Sequence, residues 1–353
     1  MVVRLGLIVL ALAAAFVPLP ATLVEAWYAR RLYPSLQPAV TGFSNQLPFA
    51  LFDVLLATAA AWLVIAVFRI VRGPRKGGRL SATVRATANA VSLAAVLYLA
   101  FLFLWGLNYR RPALEGRVDF SRSRVTPAAA GALSAKVATR LNALQGKLPR
   151  AAWPEWPAVS EALRPSFMHV QRQLRSGWTP RAGVPKWSLL SFYFERAGVD
   201  GMTDPFFLEV IVNRALLPFE RPAVLAHEWA HLAGYASESE ASFVGWLACL
   251  QGPPALEYSA HLSLTWHLLP ALPAPEREAM IRQLHPDVRE DLRAISRRLA
   301  SASPAVRQVA WRAYDGYLKA NRVEQGVRSY GEALDLFLGT RLDEGWVPAL
   351  PGS

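Results

Sequence analysis

The sequence predicts a mainly α protein: three amino-terminal transmembrane helices followed by a mostly helical domain with a small β part. Three observations predict it. Apolar residues make up 53% of the 353 residues and charged ones only 18%, with a mean hydropathy of +0.21, which is more apolar than an ordinary soluble domain. Three long apolar runs fill the first 107 residues. From Asn108 onward the pattern becomes amphipathic with helical periodicity, and a strand signal occurs once.

The runs come first. Leu5–Val24 has twenty residues without a charge, Leu47–Phe68 contains only Asp53, and Ala86–Tyr109 contains none. A hydrocarbon core needs about 20 apolar residues as a helix, so each run is long enough. Leu5–Val24 also admits a signal-peptide reading, with Arg4 before it and Ala13–Ala15 as a cleavage site; the apolar run continuing past the alanines favours the helix. Pro18 and Pro20 should kink or end that helix. Asp53 reads as a polar residue facing the bundle near the outer boundary.

Charge sets the orientation. Residues 1–107 carry nine Lys/Arg and two Asp/Glu, so much of the net charge of +12 sits among the apolar runs. The connection 69–85 holds Arg69, Arg72, Arg75, Lys76, Arg79 and Arg85 with no acid, against Arg30 and Arg31 between the first two runs. The positive-inside rule places the 69–85 connection in the cytoplasm, with the amino terminus, and the chain after the third run outside the cytoplasm. A basic stripe with interleaved aromatics is absent elsewhere, which argues against a nucleic-acid partner. The single cysteine, Cys249, excludes an intramolecular disulfide and a cysteine-based metal site; in its apolar surroundings it reads as inert core.

Helical patterns then cover Ala128–Leu148, Val159–Leu174, Pro275–Leu284, Val288–Leu299, Ala305–Ala320 and Tyr330–Leu338. Phe206–Val212, aromatic and β-branched, reads as a strand, either an ordinary one or an edge strand that pairs with an extended peptide. Trp153, Trp156, Trp178 and Trp187 read as core or interface anchors.

The chemistry is concentrated in His227-Glu228-Trp229-Ala230-His231. Residues four apart share one helix face, so two imidazoles at this spacing can grip one zinc ion while Glu228 serves as general base toward a metal-activated water. Pro222 suits the helix start and Gly234 its end. A third histidine is missing where the three-histidine motif has one, since that position is Ser237. The carboxylates downstream, Glu238 and Glu240, are the candidates for a third ligand. Tyr258, His261, His267, Tyr314, Tyr317 and Tyr330 are candidates for stabilising an oxyanion.

The run from His227 to Cys249 resembles domain-of-unknown-function family 3810, uncharacterised bacterial membrane proteins of zinc-metallopeptidase type. Trp105-Gly-Leu-Asn-Tyr-Arg-Arg-Pro, Asn213, Tyr314-Asp-Gly-Tyr-Leu-Lys-Ala-Asn and Gly326-Val-Arg-Ser-Tyr330 share the resemblance, which covers nearly the whole chain. It implies a gluzincin-like site of His227, Glu228, His231 and Glu240, and no particular substrate. Helix geometry agrees on Glu240: it precedes Phe243 by three and Leu247 by seven, on the apolar face, whereas Glu238 lies about 200° around. The competing role for Glu240 is a capping box with Ser237. The resulting expectation is a bacterial membrane-anchored zinc peptidase, with residues 1–109 as anchor in the lipid and 110–353 as a zincin-like domain acting on a peptide or protein. The alternatives are a sensor-transducer built on the same domain and a membrane protein with a chance motif.

Overall fold

The computed structural model describes residues 2–72, 78–148, 153–323 and 332–352. Arg75, Lys76 and Tyr330, invoked above, lie outside the described residues. Among the described residues helix accounts for 70% and strand for 4%.

The first apolar run does not form one helix. Helix α1 (Val2–Phe16) stops before Pro18 and Pro20, which lack N–H donors and push their preceding residues out of the α region. The chain bends by 111° into α2 (Ala21–Ser44), which is π-helical over Val24–Leu32. The stretch between the first two runs is therefore a helix. One face of it, Val24, Tyr28, Tyr33, Gln37 and Thr41, is buried. Tyr33 Oη donates to the Leu232 carbonyl at 3.0 Å, Gln37 Nε2 to Arg181 O at 2.8 Å and Thr41 Oγ1 to Leu208 O at 2.8 Å.

Helices α3 (Leu51–Arg72) and α4 (Gly78–Leu104) follow. Their apolar spans, Leu51–Arg69 and Thr83–Leu104, are about 28 and 33 Å long at 1.5 Å per residue, enough to cross a membrane. The α1–α2 pair makes a third span only if the bent pair is counted as one. Asp53 does not face the bundle: its carboxylate accepts from Ser188 Oγ and from the Leu189 N–H, tying the first turn of α3 to the remainder of the protein.

The later helices are α5 (Pro127–Gln145), α6 (Trp156–Gln173), α7 (Ser191–Ala197), α8 (Arg221–Leu232), α9 (Glu238–Leu250), α10 (Pro254–Ala271), α11 (Ala274–Gln283), α12 (Pro286–Ala300), α13 (Pro304–Ala320) and α14 (Glu332–Gly339); all but α7 and α10, which no predicted pattern covers, fall where their patterns place them. The small sheet has β1 (Pro185–Lys186), β2 (Gly201–Asp204) and β3 (Glu209–Val212) in the order β1-β3-β2. β1 runs parallel and β2 antiparallel to β3. The predicted strand thus begins later, at Glu209, and is central. Asp204 accepts from the N–H groups of Phe206 and Phe207 at 3.2 and 2.6 Å, an Asx turn that takes residues 205–208 out of the strand. Strands β1 and β2 are the edges.

The sheet is fastened to the apolar helices by a buried ion pair. Lys186 Nζ lies 2.8 Å from Glu209 Oε2 and also donates to Ser44 O, while Glu209 Oε1 accepts from the Phe52 N–H. Each charge has its hydrogen bonds, the condition for tolerating buried ions. The main core likewise continues across residue 109: Tyr28, Tyr33, Phe101, Leu102 and Trp105 pack with Leu225, Trp229, Leu232 and Phe243. Cys249 is buried within it.

Candidate metal centre

Helix α8 presents the two histidines and ends at once. Gly234 has φ +87°, with Tyr235 N–H bonded to Ala230 O and Gly234 N–H to His231 O, the Schellman arrangement that favours glycine. A Cβ on Gly234 would also lie 2.7 Å from an Arg111 guanidinium nitrogen, and that guanidinium donates to Gly234 O. The chain then reverses into α9, packed antiparallel-fashion close enough that Gly245 meets the His227 backbone.

This reversal brings Glu238, the first residue of α9, over the histidines. His227 Nε2 and His231 Nε2 are 3.1 Å apart, and Glu238 Oε2 lies 3.1 Å from the first and 3.7 Å from the second. The outer ring nitrogens are held: His231 Nδ1–H donates to Tyr235 O at 2.8 Å and His227 Nδ1 is bonded to Ser242 Oγ at 3.2 Å. Such outer partners fix imidazole orientation at metal sites. Glu238 is buried, its Oε2 makes no hydrogen bond, and its Oε1 accepts from Tyr314 Oη. Three acceptor-bearing atoms therefore converge on one point, which a shared cation satisfies. A proton is one answer: burial opposes charge on His231, but Glu238 overrides it and lifts the pKa to about 9. A metal ion is the other. Ligands about 2.0–2.1 Å from a tetrahedral zinc stand about 3.3 Å apart, close to the separations seen here, so the donor set fits. His227 keeps 21% of its side chain exposed, leaving the cluster reachable from solvent.

Glu240 is not part of this cluster. Its Oε1 accepts from the Leu114 N–H at 2.7 Å, and burial raises its pKa against the pull of that N–H and of Arg111. It makes no capping box either: Ser237 bonds Ser239 through their hydroxyls instead of capping the helix. The expectation for Glu240 rested on the family resemblance and on one buried face of α9, but the helix is buried on all sides from Ala241 to Leu250. Burial therefore could not select among its residues. Glu238 sits at the helix start, directly after the tight reversal at Gly234.

Glu228 lies beside the cluster and is 3% exposed. Thr203 Oγ1, on the edge strand β2, donates to its Oε2 at 2.8 Å. Burial raises its pKa, against the lowering effect of the two histidines and Thr203. Gly201 of the same strand makes room for it, since a Cβ there would lie 2.7 Å from Glu228 Oε1. Neither Thr203 nor Gly201 was singled out by the sequence; Asp204-Pro205, a turn signal directly after them, marks the strand they occupy.

Among the oxyanion candidates, Tyr314 reaches the cluster through Glu238. Tyr317 stacks on Tyr314 at 5.8 Å and continues through Tyr109 to Trp105. Trp105 Nε1–H, one residue beyond the apolar span of α4, donates to His231 O at 3.1 Å. Tyr258 instead donates to Asp291, His261 is buried beside Glu257 and Trp346, and His267 packs on Trp246.

No curated protein and no solved structure matches the chain. The family model described as "protein of unknown function (DUF3810)" matches residues 28–338, a stretch that includes α2 from Tyr28 onward, both apolar spans, the three converging side chains and Tyr314, and the chain belongs to that family.

Proposed function

We propose that this protein is a membrane-anchored, zinc-dependent peptidase with its site outside the cytoplasm. The observation that carries the reading is the convergence of His227, His231 and Glu238, with a buried carboxylate, Glu228, held next to them by Thr203. His227, His231 and Glu238 would hold the ion, in place of the set with Glu240. Zinc in a site of this kind supplies a Lewis acid for a carbonyl and a water acidic near neutrality. Glu228 would accept the proton of the attacking water and then donate it to the leaving amine. Its burial supports the role, because a raised carboxylate pKa brings it nearer the working pH. Thr203 orients one of its oxygens and the small side of Gly201 leaves room for the other. The outer edge of β2, beside Glu228, is suited to pairing with an extended peptide backbone. Orientation follows from the basic connection between α3 and α4.

A sensor-transducer remains the second reading, and one contact favours it: Trp105, at the end of α4, bonds the carbonyl of His231, so a shift of that helix acts directly on the motif helix.

The test uses the full chain in detergent. One zinc per chain is expected, lost in Glu238→Ala and kept in Glu240→Ala. Glu228→Gln should keep zinc and lose peptide hydrolysis by about 10²–10⁴-fold. A chain without zinc under metal-replete conditions, or a fully active Glu228→Gln, overturns the reading.

A further inference from the structure

Soluble surfaces rarely carry large apolar side chains in continuous patches, yet this protein carries one outside its apolar helices. Leu189 is 83% exposed, Phe192 66% and Trp187 54%. Their position is fixed relative to α3, because Asp53 in its first turn accepts from Ser188 Oγ and the Leu189 N–H. The loop 187–192 is therefore pinned at the level where the apolar span beginning at Leu51 starts. Asn45, at the end of α2, holds the segment before β1, donating to Ala182 O and accepting from the Val184 N–H.

Helix α2 has the matching character. It turns 111° away from α1, buries Tyr28, Tyr33 and Thr41 against the domain, and leaves Trp27 and Phe43 exposed on the opposite face. Exposed apolar side chains thus flank the start of α3 on two segments: Trp27 and Phe43 on α2, which leads into it, and Trp187, Leu189 and Phe192 on the loop that Asp53 holds.

Charge accompanies these rings in a consistent way. Arg31 lies 4.3 Å from the Trp27 ring centroid, Arg196 4.4 Å from that of Phe192 and Arg214 4.9 Å from that of Trp187. A guanidinium on an exposed ring suits the boundary of a bilayer, where the ring meets acyl chains and the cation meets phosphate. A protein partner would require neither the level set by α3 nor a cation on each ring.

We propose that this face is a membrane-docking surface: Trp27, Trp187, Leu189 and Phe192 enter the headgroup–acyl boundary of the leaflet that α3 and α4 enter, with Arg31, Arg196 and Arg214 at the lipid phosphates. The proposal rests on α3 and α4 crossing a bilayer and is independent of the peptidase reading.

The test places a nitroxide at Leu189→Cys, Phe192→Cys or Trp27→Cys in the full chain, reconstituted in phosphatidylcholine–phosphatidylglycerol nanodiscs. Cys249 is buried and leaves a clean background. Ile65→Cys in α3 reports the bilayer itself, and Arg282→Cys, with 69% of the native side chain exposed, reports water. Labels at 189, 192 and 27 should collide with oxygen in preference to a water-soluble nickel chelate, as at 65, with the ratio reversed at 282. Labels at those three positions that behave like 282 overturn the docking surface while 65 still reports lipid. Shielding from both reagents with spin–spin broadening assigns the face to a second copy and also overturns it. Water-like behaviour at 65 overturns the span on which the proposal rests.

Discussion

Replacing Gly245 by alanine tests the packing that builds the cluster. The added Cβ would lie 2.9 Å from His227 N, 3.1 Å from His227 Cα and 3.2 Å from the carbonyl carbon of Ala226. These are backbone atoms of a helix and cannot rotate aside, so α8 and α9 must part by roughly half an ångström or more to restore ordinary contact. Overpacking of this kind costs about 1–3 kcal/mol. The same two helices carry His227 and His231 on one side and Glu238 on the other. If an ion draws those ligands together, it must reverse the separation, and the cost reappears as weaker binding, about 5–150-fold for that range. The measurements are denaturant unfolding of the full chain in detergent and zinc affinity against a competing chelator. Gly116→Ala, where a Cβ meets nothing within 4 Å, is the control. Stability equal to the control's would refute the close approach of the helices. A destabilised variant with native zinc affinity would refute the coupling of helix spacing to the site.

Two further predictions follow from buried groups. Burial raises the Asp204 carboxyl to about 7, so between its unfolded pKa and 7 the folded chain holds more protons than the unfolded one, and this group's contribution to stability is lost as pH rises through 7; Asp204→Asn should lose less stability than the native chain between pH 5 and 8, and parallel curves would contradict the shift. Residues 108–353 expressed alone should not fold, because Val24, Tyr28, Tyr33, Phe101, Leu102 and Trp105 leave the core at about 1.5–3 kcal/mol each, against a total stability of about 5–15 kcal/mol; a monomeric fragment with a cooperative unfolding transition by circular dichroism would show the reasoning wrong.

The parts legible in the sequence are those governed by local periodicity. The six amphipathic helices and the pairing of His227 with His231 depend on 3.6-residue spacing, the two apolar spans on uninterrupted apolar length, and the structure places them accordingly. The first run failed locally and for a visible reason: Pro18 and Pro20 end α1, and the chain beyond them alternates buried and exposed residues, as in Tyr28 against Trp27, instead of remaining apolar throughout. The strand was shortened by Asp204, whose side chain bonds two backbone N–H groups and makes a turn of three residues with high strand propensity. In both places the breaker was present in the sequence, and the apolar residues around it outweighed it in the reading.

The third carboxylate was illegible for a different reason. Selecting Glu240 by its face assumed that α9 has a buried side and a solvent side, which holds for a helix on a protein surface. Helix α9 packs against α8, α6, α10 and α14, so its direction of burial carries no information about where the histidines lie. What decides the matter is the turn before it. Gly234 closes α8 within one residue of the last apolar position, and only three residues, Tyr235, Ala236 and Ser237, separate it from α9. So short a reversal returns the first residue of α9 to the level of the last turn of α8, where His231 stands, and carries Glu240 past it toward Leu114 and Arg111. Those partners come from the segment after α4, so the side chain that completes the cluster and the one that leaves it are both decided by how the end of an apolar helix enters the core.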